Sequence, residues 1–332
     1  MIISRTPYRI SIAGGGTDFP EWFKHYPSAV VSGTINKYSY ITCRPLSNFF
    51  EHKYRIVYSL IENVIDIEDI KHPAVREIIK FLKFKNGLEI HHDGDLPART
   101  GLGSSSAFTV GLLQLLIKLQ GKEISKDQLA GLAIKVEREL LKEKVGMQDQ
   151  IACVYGGINL ILFEYINSSP TFNVSPIVLD KKRQEILQNQ IKLVYTGKQR
   201  FSSEVSNELV NNLINNSKFT EKIQLRNIEL AYETAKVFKN SKDFYEIAEI
   251  FEESWINKKQ INPESITKEL QDIKNFGMKN GGSGAKVLGA GGGGFLAFWV
   301  NENNIEKFLS AFREYVIVDI KFENEGSTIV YE

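Results

Sequence analysis

The run Gly101-Leu102-Gly103-Ser104-Ser105-Ser106 is the part of the sequence whose residue types point most directly to chemistry. Its two glycines permit backbone conformations that other residues avoid, and an apolar stretch in which a helix can begin follows from Phe108. A loop of this kind directs several backbone N–H groups and the positive end of a helix dipole at one point. Such an arrangement binds anions, so the run predicts a phosphate-binding loop.

Two further glycine clusters accompany this loop. Gly14-Gly15-Gly16 follows an apolar N-terminal stretch, and 8 of the 14 residues from Gly281 to Gly294 are glycine. One such cluster is equally well explained as a tight turn, whereas three of them, each beside a strand or helix, favour a phosphate-handling site. The signatures of P-loop NTPases, Rossmann dinucleotide-binding proteins and protein kinases do not match these runs.

Two carboxylates occupy positions that suit either function or ordinary structure. Glu137 would share a helix face with Ala130 and Ala133, and these small residues would let that face pack closely while the carboxylate points at an ion. It would also fit as a surface glutamate. Asp149 precedes an apolar run and fits either a helix cap or a functional carboxylate. The five histidines show no metal-ligand spacing.

The elements that would position these groups begin with strands, predicted from alternation and β-branched residues over Ile2–Ala13, Val30–Arg44 (as one or two strands), Tyr54–Leu60 and Leu88–His92. Helices are predicted over Ala74–Lys83, Phe108–Gln120 and Lys126–Lys142, the last beginning with a capping box of Ser125 and Gln128. A hairpin is predicted from Gly156–Phe163 and Thr171–Leu179.

The second half of the chain differs from the first in its pattern of predicted helices and strands. A long helical region is predicted from Ser203 to Phe276 with a break near Asn240, and the strands predicted around it are Ile191–Tyr195, Phe295–Val300, Tyr315–Phe322 and Ser327–Tyr331. Helices and strands mix without a regular βαβ period, which favours an α+β fold over a doubly wound sheet. Two domains are expected for 332 residues, with a boundary near residue 185.

Composition excludes several classes of protein. Lys and Arg (41) nearly balance Asp and Glu (40), so no global field attracts nucleic acid or a membrane surface. The two cysteines predict neither a disulfide framework nor a zinc site. Arg5 and Arg9 interrupt the N-terminal apolar stretch, which argues against a signal peptide, and no run is long enough to span a membrane. A cytoplasmic protein, monomeric or homodimeric, is therefore expected.

The three glycine runs, taken in order, resemble the motifs of the GHMP small-molecule kinases, which include galactokinase, homoserine kinase, mevalonate kinase and phosphomevalonate kinase. The matching segments are Pro7-Tyr8-Arg9-Ile10-Ser11-Ile12 leading into Gly14-Gly15-Gly16-Thr17-Asp18, then Leu96-Pro97 followed by GLGSSSA, and then Gly289 to Phe295. The resemblance implies a ribosomal protein S5 domain 2-like N-terminal ATP-binding domain, residues 1–185, and a ferredoxin-like C-terminal domain, residues 186–332.

The resemblance also implies roles for particular residues. Asp149 and Arg9 would be catalytic, with Asp149 as general base and Arg9 stabilising charge on the transferred phosphoryl group. The ATP phosphates would lie on the backbone of Gly101, Leu102, Gly103, Ser104, Ser105 and Ser106. Mg²⁺ would be held by Ser105 and Glu137. Residues assigned to the substrate are Gly15, Gly16, Thr17, Asp18 and Arg200, and the third glycine motif is centred on Gly291, Gly292 and Gly293.

Within the family, the run GGGTDFP looks most like the bacterial D-glycero-D-manno-heptose 7-phosphate kinases. This implies ATP-dependent phosphorylation of the anomeric hydroxyl of a small sugar phosphate. Another GHMP sugar 1-kinase, resembling fucokinase or galactokinase, and a non-catalytic sensor of sugar and ATP are the alternatives. Lys286 is a second candidate for binding the substrate's phosphate, while Lys198 fits a solvated basic turn equally well. A nucleotide-dependent dehydrogenase finds little support in the loop pattern.

Overall fold

The structure is a computed structural model and describes residues 1–198, 210–213 and 217–332. Its strands are β1 Ile2–Ala13, β2 Ala29–Leu46, β3 Tyr54–Val57, β4 Ile61–Val64, β5 Gly87–Gly94, β6 Ile158–Ile166, β7 Ser169–Pro176, β8 Ile191–Tyr195, β9 Gly282–Val287, β10 Phe295–Val300, β11 Ile317–Val318 and β12 Thr328–Tyr331. Its α-helices are α1 Pro20–Phe23, α2 Pro73–Phe81, α3 Ser104–Leu119, α4 Lys126–Lys135, α5 Gln148–Tyr155, α6 Lys181–Gln190, α7 Lys218–Asn240, α8 Glu246–Ile261, α9 Lys268–Lys279 and α10 Ile305–Ala311. Val136–Leu140 form a π-helical turn directly after α4.

The larger of two sheets has eight strands within the described residues, in the order β12-β1-β2-β5-β3-β4, with β6 and β7 attached through β2. Strand β2 can serve both branches because its residues 29–33 pair with β6 and its residues 39–46 pair with β5. Helix α3 packs against β1 and β2 and is buried on nearly all sides. It is apolar around most of its circumference, as expected of a central helix.

The smaller sheet is antiparallel, in the order β11-β8-β10-β9. Helix α8 lies directly on β9, since a Cβ built on Gly284 would come within 2.1 Å of the carbonyl oxygen of Ala248. Only glycine lets the two backbones approach this closely. Helix α7 contacts β1 and β2 of the larger sheet and also packs along α8. The pair α7–α8 therefore joins the two sheets.

The predicted α+β class is confirmed by this mixture of helices and mostly antiparallel strands, among which only β3 and β5 pair in parallel within the described residues. The predicted hairpin forms as β6 and β7, joined by Asn167 and Ser168, whose φ angles are +50° and +61°. The predicted helix break at Asn240 is also found, where α7 ends. Residues 203–209 and 214–216 of the predicted helical region lie outside the described residues.

Several predicted bounds were wrong. The helix predicted over Lys126–Lys142 leaves α geometry after Lys135, and the strand predicted over Tyr54–Leu60 ends at Val57 before the chain returns as β4. The helical region also breaks a second time at Asn262, because Pro263 cannot continue the helical hydrogen bonds. Of the strand predicted over Tyr315–Phe322, only two residues form β11.

The predicted boundary near residue 185 falls inside α6, and the last strand does not stay with the second half of the chain. Strand β12 pairs with β1, as shown by the register of Arg5 with Thr328. One buried apolar cluster contains both Ile10 of β1 and Phe251 of α8. The two halves therefore share a sheet and a core, and their division at residue 185 stays a prediction.

Two absences that the sequence predicted can be checked on the described residues. None of their helices is both long and apolar enough to cross a membrane. Cys43 and Cys153 are buried free thiols, and no disulfide was predicted between them.

Candidate active site

A bidentate ion pair between Arg9 and Asp149 lies at the centre of the candidate site. Arg9 extends from β1 and is only 3% exposed. Its Nε donates to Oδ1 of Asp149 at 2.8 Å and its Nη2 donates to Oδ2 at 2.5 Å. Asp149 is in the first turn of α5. The predicted juxtaposition of the two residues is confirmed, while their catalytic roles stay predictions.

The phosphate loop packs against this pair. Gly101 and Gly103 have φ angles of +82° and +73°, and the Gly101 carbonyl accepts a hydrogen bond from Arg9 Nη1 at 2.7 Å. A Cβ built on Gly103 would lie 3.2 Å from Arg9 Cγ and 3.5 Å from Asp149 Oδ2. The glycines thus allow the loop to lie directly on the ion pair.

Helix α3 begins inside the serine run, at Ser104, instead of at Phe108 as predicted. Its first helical hydrogen bond is donated by Ala107 N to Gly103 O at 2.9 Å, and no side chain caps this end. The N–H groups of Ser104 to Ser106 therefore have no helical partner. This end of α3, beside the ion pair, has the geometry of an anion site.

Glu137 lies in the π-helical turn after α4 and is 1% exposed. Its Oε2 accepts hydrogen bonds from Ser106 Oγ at 3.0 Å and from Gln150 Nε2 at 2.5 Å, whereas its buried Oε1 has no partner among the described residues. Burial, together with the nearby Glu143, raises the pKa of this carboxyl to about 8. Ala130 and Ala133 are fully buried on α4, but the α-helical face predicted to join them to Glu137 is interrupted by the π-helical turn.

These observations bear on the predicted magnesium pair. The serine that bonds Glu137 directly is Ser106, while Ser105 is exposed in the same first turn of α3. The unpartnered buried Oε1 of Glu137 suits a cation, which would supply the missing interaction. The described residues contain no group of three or more His, Cys, Asp or Glu that could hold a metal ion. A Mg²⁺ bound by few protein oxygens and by nucleotide phosphates fits this arrangement.

The first glycine loop is built around the buried carboxylate of Asp18. Its oxygens accept hydrogen bonds from Gly16 N and Gln148 N, both at 3.2 Å. Gly146 must lack a side chain, since a Cβ there would lie 1.8 Å from Asp18 Oδ2. Burial raises the pKa of Asp18, and the charge of Asp149 adds to this effect. Asp18 thus ties the loop to the beginning of α5, the helix that carries Asp149.

Thr17 has a structural role in the same loop. It is fully buried, and its hydroxyl donates to the carbonyl of Gly14 at 2.8 Å. A hydrogen bond from Thr17 to a sugar stays a prediction. Gly15 faces two polar groups instead: a Cβ there would lie 3.3 Å from Ser11 Oγ and 3.9 Å from Gln148 Nε2.

Sequence reasoning missed the polar groups that surround the ion pair. Ser11 Oγ, Gln148 Oε1 and Gln150 Oε1 are buried and have no hydrogen-bond partner among the described residues. The two glutamines flank Asp149 in sequence, so a polar triplet ahead of an apolar run was the available signal. Unpartnered buried polar atoms beside an ion pair indicate a surface that a polar ligand completes.

A chain of buried amides supports the first glycine loop from the other side. Gln224 Nε2 donates to Gly16 O at 2.9 Å, and Asn227 Nδ2 donates to Gln224 Oε1 at 2.8 Å. Asn257 of α8 then donates to Asn227 Oδ1 at 2.9 Å. Nothing in the sequence pattern pointed to this chain, because its members are separated along α7 and α8. It fixes the loop relative to both helices.

The third glycine motif connects β9 to β10 and contacts the phosphate loop. A Cβ built on Gly289 would lie 2.4 Å from Gly101 Cα. Gly292 N donates to Ser265 O at 2.8 Å, and a Cβ on Gly291 or Gly293 would approach backbone atoms of Ser265 or Lys198. The structure thus brings the three glycine motifs together. Arg200 lies outside the described residues.

Comparison with known proteins decides the family. The profile of the GHMP kinases N terminal domain matches residues 70–157, and that of the GHMP kinases C terminal domain matches residues 231–318. The chain belongs to the GHMP kinases. The family resemblance inferred from the three glycine motifs is thereby confirmed, and the chain is a kinase.

Several GHMP kinases resemble the chain along nearly its whole length. A D-glycero-alpha-D-manno-heptose 7-phosphate kinase of Campylobacter jejuni is 26% identical, with 98% of this chain and 97% of that protein covered. A bifunctional fucokinase/GDP-fucose pyrophosphorylase of Arabidopsis thaliana is 24% identical over 96% of this chain, which spans 32% of that protein. A solved structure described as a D-glycero-D-manno-heptose 1-phosphate kinase from Bacteroides thetaiotaomicron superimposes with a TM-score of 0.81 at 21% identity, covering 100% of both chains. This likeness confirms the GHMP kinase fold.

Proposed function

We propose that this GHMP kinase transfers a phosphoryl group from ATP to the anomeric hydroxyl of D-glycero-D-manno-heptose 7-phosphate, giving the 1,7-bisphosphate on the way to nucleotide-activated heptose. The observation that carries the proposal is the Arg9–Asp149 ion pair at the open N-terminus of α3. The choice of sugar is supported by the full-length relative that is a heptose 7-phosphate kinase.

Asp149 would accept the proton of the sugar hydroxyl. An ionised carboxylate has about four lone-pair sites, and Arg9 uses one on each oxygen. The Asp149 side chain is 26% exposed, so a hydroxyl can approach a remaining lone pair. Arg9 orients the carboxylate and places positive charge where the transferred phosphoryl group gains negative charge.

The loop from Gly101 to Ser106 would bind the ATP phosphates through its backbone N–H groups. Ser105 and Glu137 would hold Mg²⁺, which neutralises phosphate charge when bound. Ser106 and Gln150 keep the carboxylate of Glu137 oriented through their hydrogen bonds to Oε2. The other carboxylate oxygen is thereby left for the ion.

The sugar would lie against the first glycine loop. Gly15 and Gly16 leave room for it, and Asp18, directly after them, would accept hydroxyl hydrogen bonds. A buried carboxylate discriminates strongly because a missing hydroxyl leaves its charge unpaired. Arg200 remains a proposed ligand for the substrate's own phosphate, for which the planar guanidinium is well suited.

The test is turnover of ATP by the purified protein with a panel of acceptors: heptose 7-phosphate, the unphosphorylated heptose, fucose, galactose and mevalonate. We expect heptose 7-phosphate to give the highest kcat/KM and a product phosphorylated at C1. A higher kcat/KM for fucose would favour the function of the Arabidopsis relative and reject the heptose proposal. No turnover with any acceptor would reject the kinase mechanism.

A further inference from the structure

Two lysines of the second half of the chain place their ammonium groups inside the molecule, beside the glycine motifs. Lys286, on β9, is 7% exposed, and its Nζ donates to the carbonyl of Ile12 at 2.8 Å. Lys258, on α8, is half-buried, and its Nζ donates to the carbonyl of Gly289. One lysine therefore contacts the strand leading into the first glycine motif, and the other contacts the third motif.

These two lysines have no carboxylate partner among the described residues, unlike two buried lysines in the same half of the chain. Lys274, 8% exposed, lies 2.7 Å from Glu252, and Lys192, also 8% exposed, lies 3.8 Å from Asp319. Within the described part of the chain, neither Lys258 nor Lys286 has a carboxylate oxygen within 4.0 Å. A buried cation such as Lys286 with only a carbonyl partner is unfavourable and calls for an anion, which the half-buried Lys258 beside the same motifs could share.

Both lysines lie near Arg9. The Gly289 carbonyl that Lys258 contacts belongs to the residue packed on Gly101, whose own carbonyl accepts from Arg9. Lys286 Nζ lies 5.7 Å from the ring centre of Phe251, which is two turns before Lys258 on the same face of α8. Arg9 on β1, Lys258 on α8 and Lys286 on β9 therefore lie in one region of the molecule.

The lowered pKa values of the two lysines agree with this placement. Burial lowers the pKa of Lys258 to about 8, and the positive charge of Arg9 adds to the effect while Asp18 opposes it. Burial likewise lowers the pKa of Lys286 to about 7, with further contributions from Lys258 and Arg9. Each lysine is thus within electrostatic reach of the catalytic pair, and an anion bound there would favour the charged form of both.

We propose that Lys258 and Lys286, together with Arg9, form a binding subsite for a phosphate group that supplies the missing negative charge. The proposal deepens the proposed function and rests on it, because a sugar phosphate kinase offers two sources for this group: the γ-phosphate of ATP and the phosphate already on the sugar. The alternative is that the two lysines only brace the glycine motifs through their hydrogen bonds to backbone carbonyls.

Binding of inorganic phosphate tests the subsite directly. Lys258→Met and Lys286→Met are compared with wild type and with Lys274→Met, which removes a lysine as buried as Lys286 from a carboxylate pair. We expect each of the first two changes to weaken phosphate binding, measured by calorimetry, by about tenfold or more, and Lys274→Met to leave it within about twofold. Unchanged affinity in both lysine variants would mean that they are braces and would overturn the proposal.

Kinetics identify which phosphate is bound. If it is the sugar's own phosphate, the lysine variants should lose the preference for heptose 7-phosphate over unphosphorylated heptose, with the KM for ATP unchanged. If it is the γ-phosphate, kcat should fall by the same factor with both acceptors. Both results support the subsite. Wild-type kinetics in Lys258→Met and Lys286→Met would contradict it.

Labelling of the wild-type protein covers the case in which a methionine variant fails to fold. Acetic anhydride modification, read by mass spectrometry, should be slowed by inorganic phosphate at Lys258 and Lys286 and not at Lys274. Equal labelling with and without phosphate would reject the subsite. This readout needs no sugar, so a failure of the heptose proposal in the acceptor panel and a failure of the subsite are separate results.

Discussion

Asp149 gives both of its oxygens to Arg9, and the proposed chemistry also asks one of them to receive a proton. The two demands are compatible because the guanidinium occupies only one lone pair on each oxygen. The second lone pair of each oxygen remains available on a side chain that is 26% exposed. The fork of Arg9 thus fixes the carboxylate without closing it. Lysine in place of Arg9 would provide charge but not this bidentate orientation.

Replacement of Asp149 by asparagine tests its role as base. The amide is of similar size but cannot accept the proton, and it places an NH2 group against Arg9. We expect kcat to fall by about a thousandfold while the affinity for ATP changes little. Asp127→Asn, at an exposed position on α4, is the control and should retain wild-type kcat. A kcat for Asp149→Asn close to that of the control would remove Asp149 from the mechanism.

Glu137→Gln tests the magnesium site. Its free Oε1 would become part of a neutral amide, so the Mg²⁺ concentration for half-maximal activity should rise by about tenfold or more. Without Mg²⁺, the free energy of unfolding should be unchanged or higher, because a buried carboxylate with an unpartnered oxygen is costly.

Glu139→Gln, two residues away and exposed, provides the comparison for the magnesium test and should behave as wild type in both measurements. Magnesium dependence that stays the same in Glu137→Gln would exclude Glu137 as a ligand.

At this scale the sequence predicted which segments meet but not which atoms touch. The pairing of Arg9 with Asp149 and the closeness of the serine loop to Glu137 could be inferred from the family resemblance. That Ser106 instead of Ser105 bonds Glu137 depends on α3 beginning at Ser104, since each residue turns the side chain by about 100° around the axis. The two lysines near Arg9 could not be assigned, because their closeness arises only when the two sheets pack.

At the scale of single elements, the beginning of α2 depends on an uncharged histidine. His72 is the N-cap residue, and its Nδ1 accepts a hydrogen bond from Val75 N at 3.4 Å. Burial, together with the charge of the nearby His92, lowers the pKa of His72 to about 4. Protonation would remove the acceptor and place a charge against Phe108, on whose ring the imidazole stacks.

The pH dependence of stability should therefore contain a contribution from His72. Since its pKa is lower in the folded state, its contribution is fully present above the unfolded pKa of 6.5 and is lost as the pH falls toward 4. Between pH 7 and pH 5, urea denaturation should show wild type losing about 1–2 kcal/mol more than His72→Asn. Asparagine keeps an N-cap acceptor that does not titrate in this range. Parallel pH profiles for the two proteins would contradict the assignment.

Glycine explains why β9 was not predicted. Strand β9 lies in a segment that reads as loop because of its glycines, yet Gly284 is a strand residue that α8 packs against directly. The requirement comes from the neighbouring helix and is invisible in the local sequence. The π-helical turn at Glu137 is similar, since it places a functional carboxylate where an ordinary α-helix was predicted.

At the scale of the whole molecule, the two sheets share one core. The larger buried cluster contains Val31 of the first sheet and Trp299 of the second, while a smaller one, including Phe298, is confined to the second half of the chain. The sequence predicted two domains from a change in the pattern of helices and strands, and that division stays a prediction. It could not show that β12 returns to β1, because strand pairing at such a distance leaves no local pattern.

A shared core predicts cooperative unfolding. Calorimetry should show a single transition whose calorimetric and van't Hoff enthalpies agree. Phe298→Ala should move that whole transition to lower temperature. The cavity left by the missing ring should lower the free energy of unfolding by about 3–5 kcal/mol. A peak that splits in the variant would show that the halves unfold independently.

The pairing of β12 with β1 has a consequence for how the protein is made. Thr6 and Ser327, whose hydroxyls lie 2.7 Å apart, are 321 residues apart in the chain. On the ribosome, the strand that carries Arg9 emerges more than 300 residues before the partner for its outer edge is synthesised. Until then that edge presents unpaired backbone groups on an apolar strand, a template for association with other nascent chains. A chaperone that covers this edge during translation should therefore reduce such association.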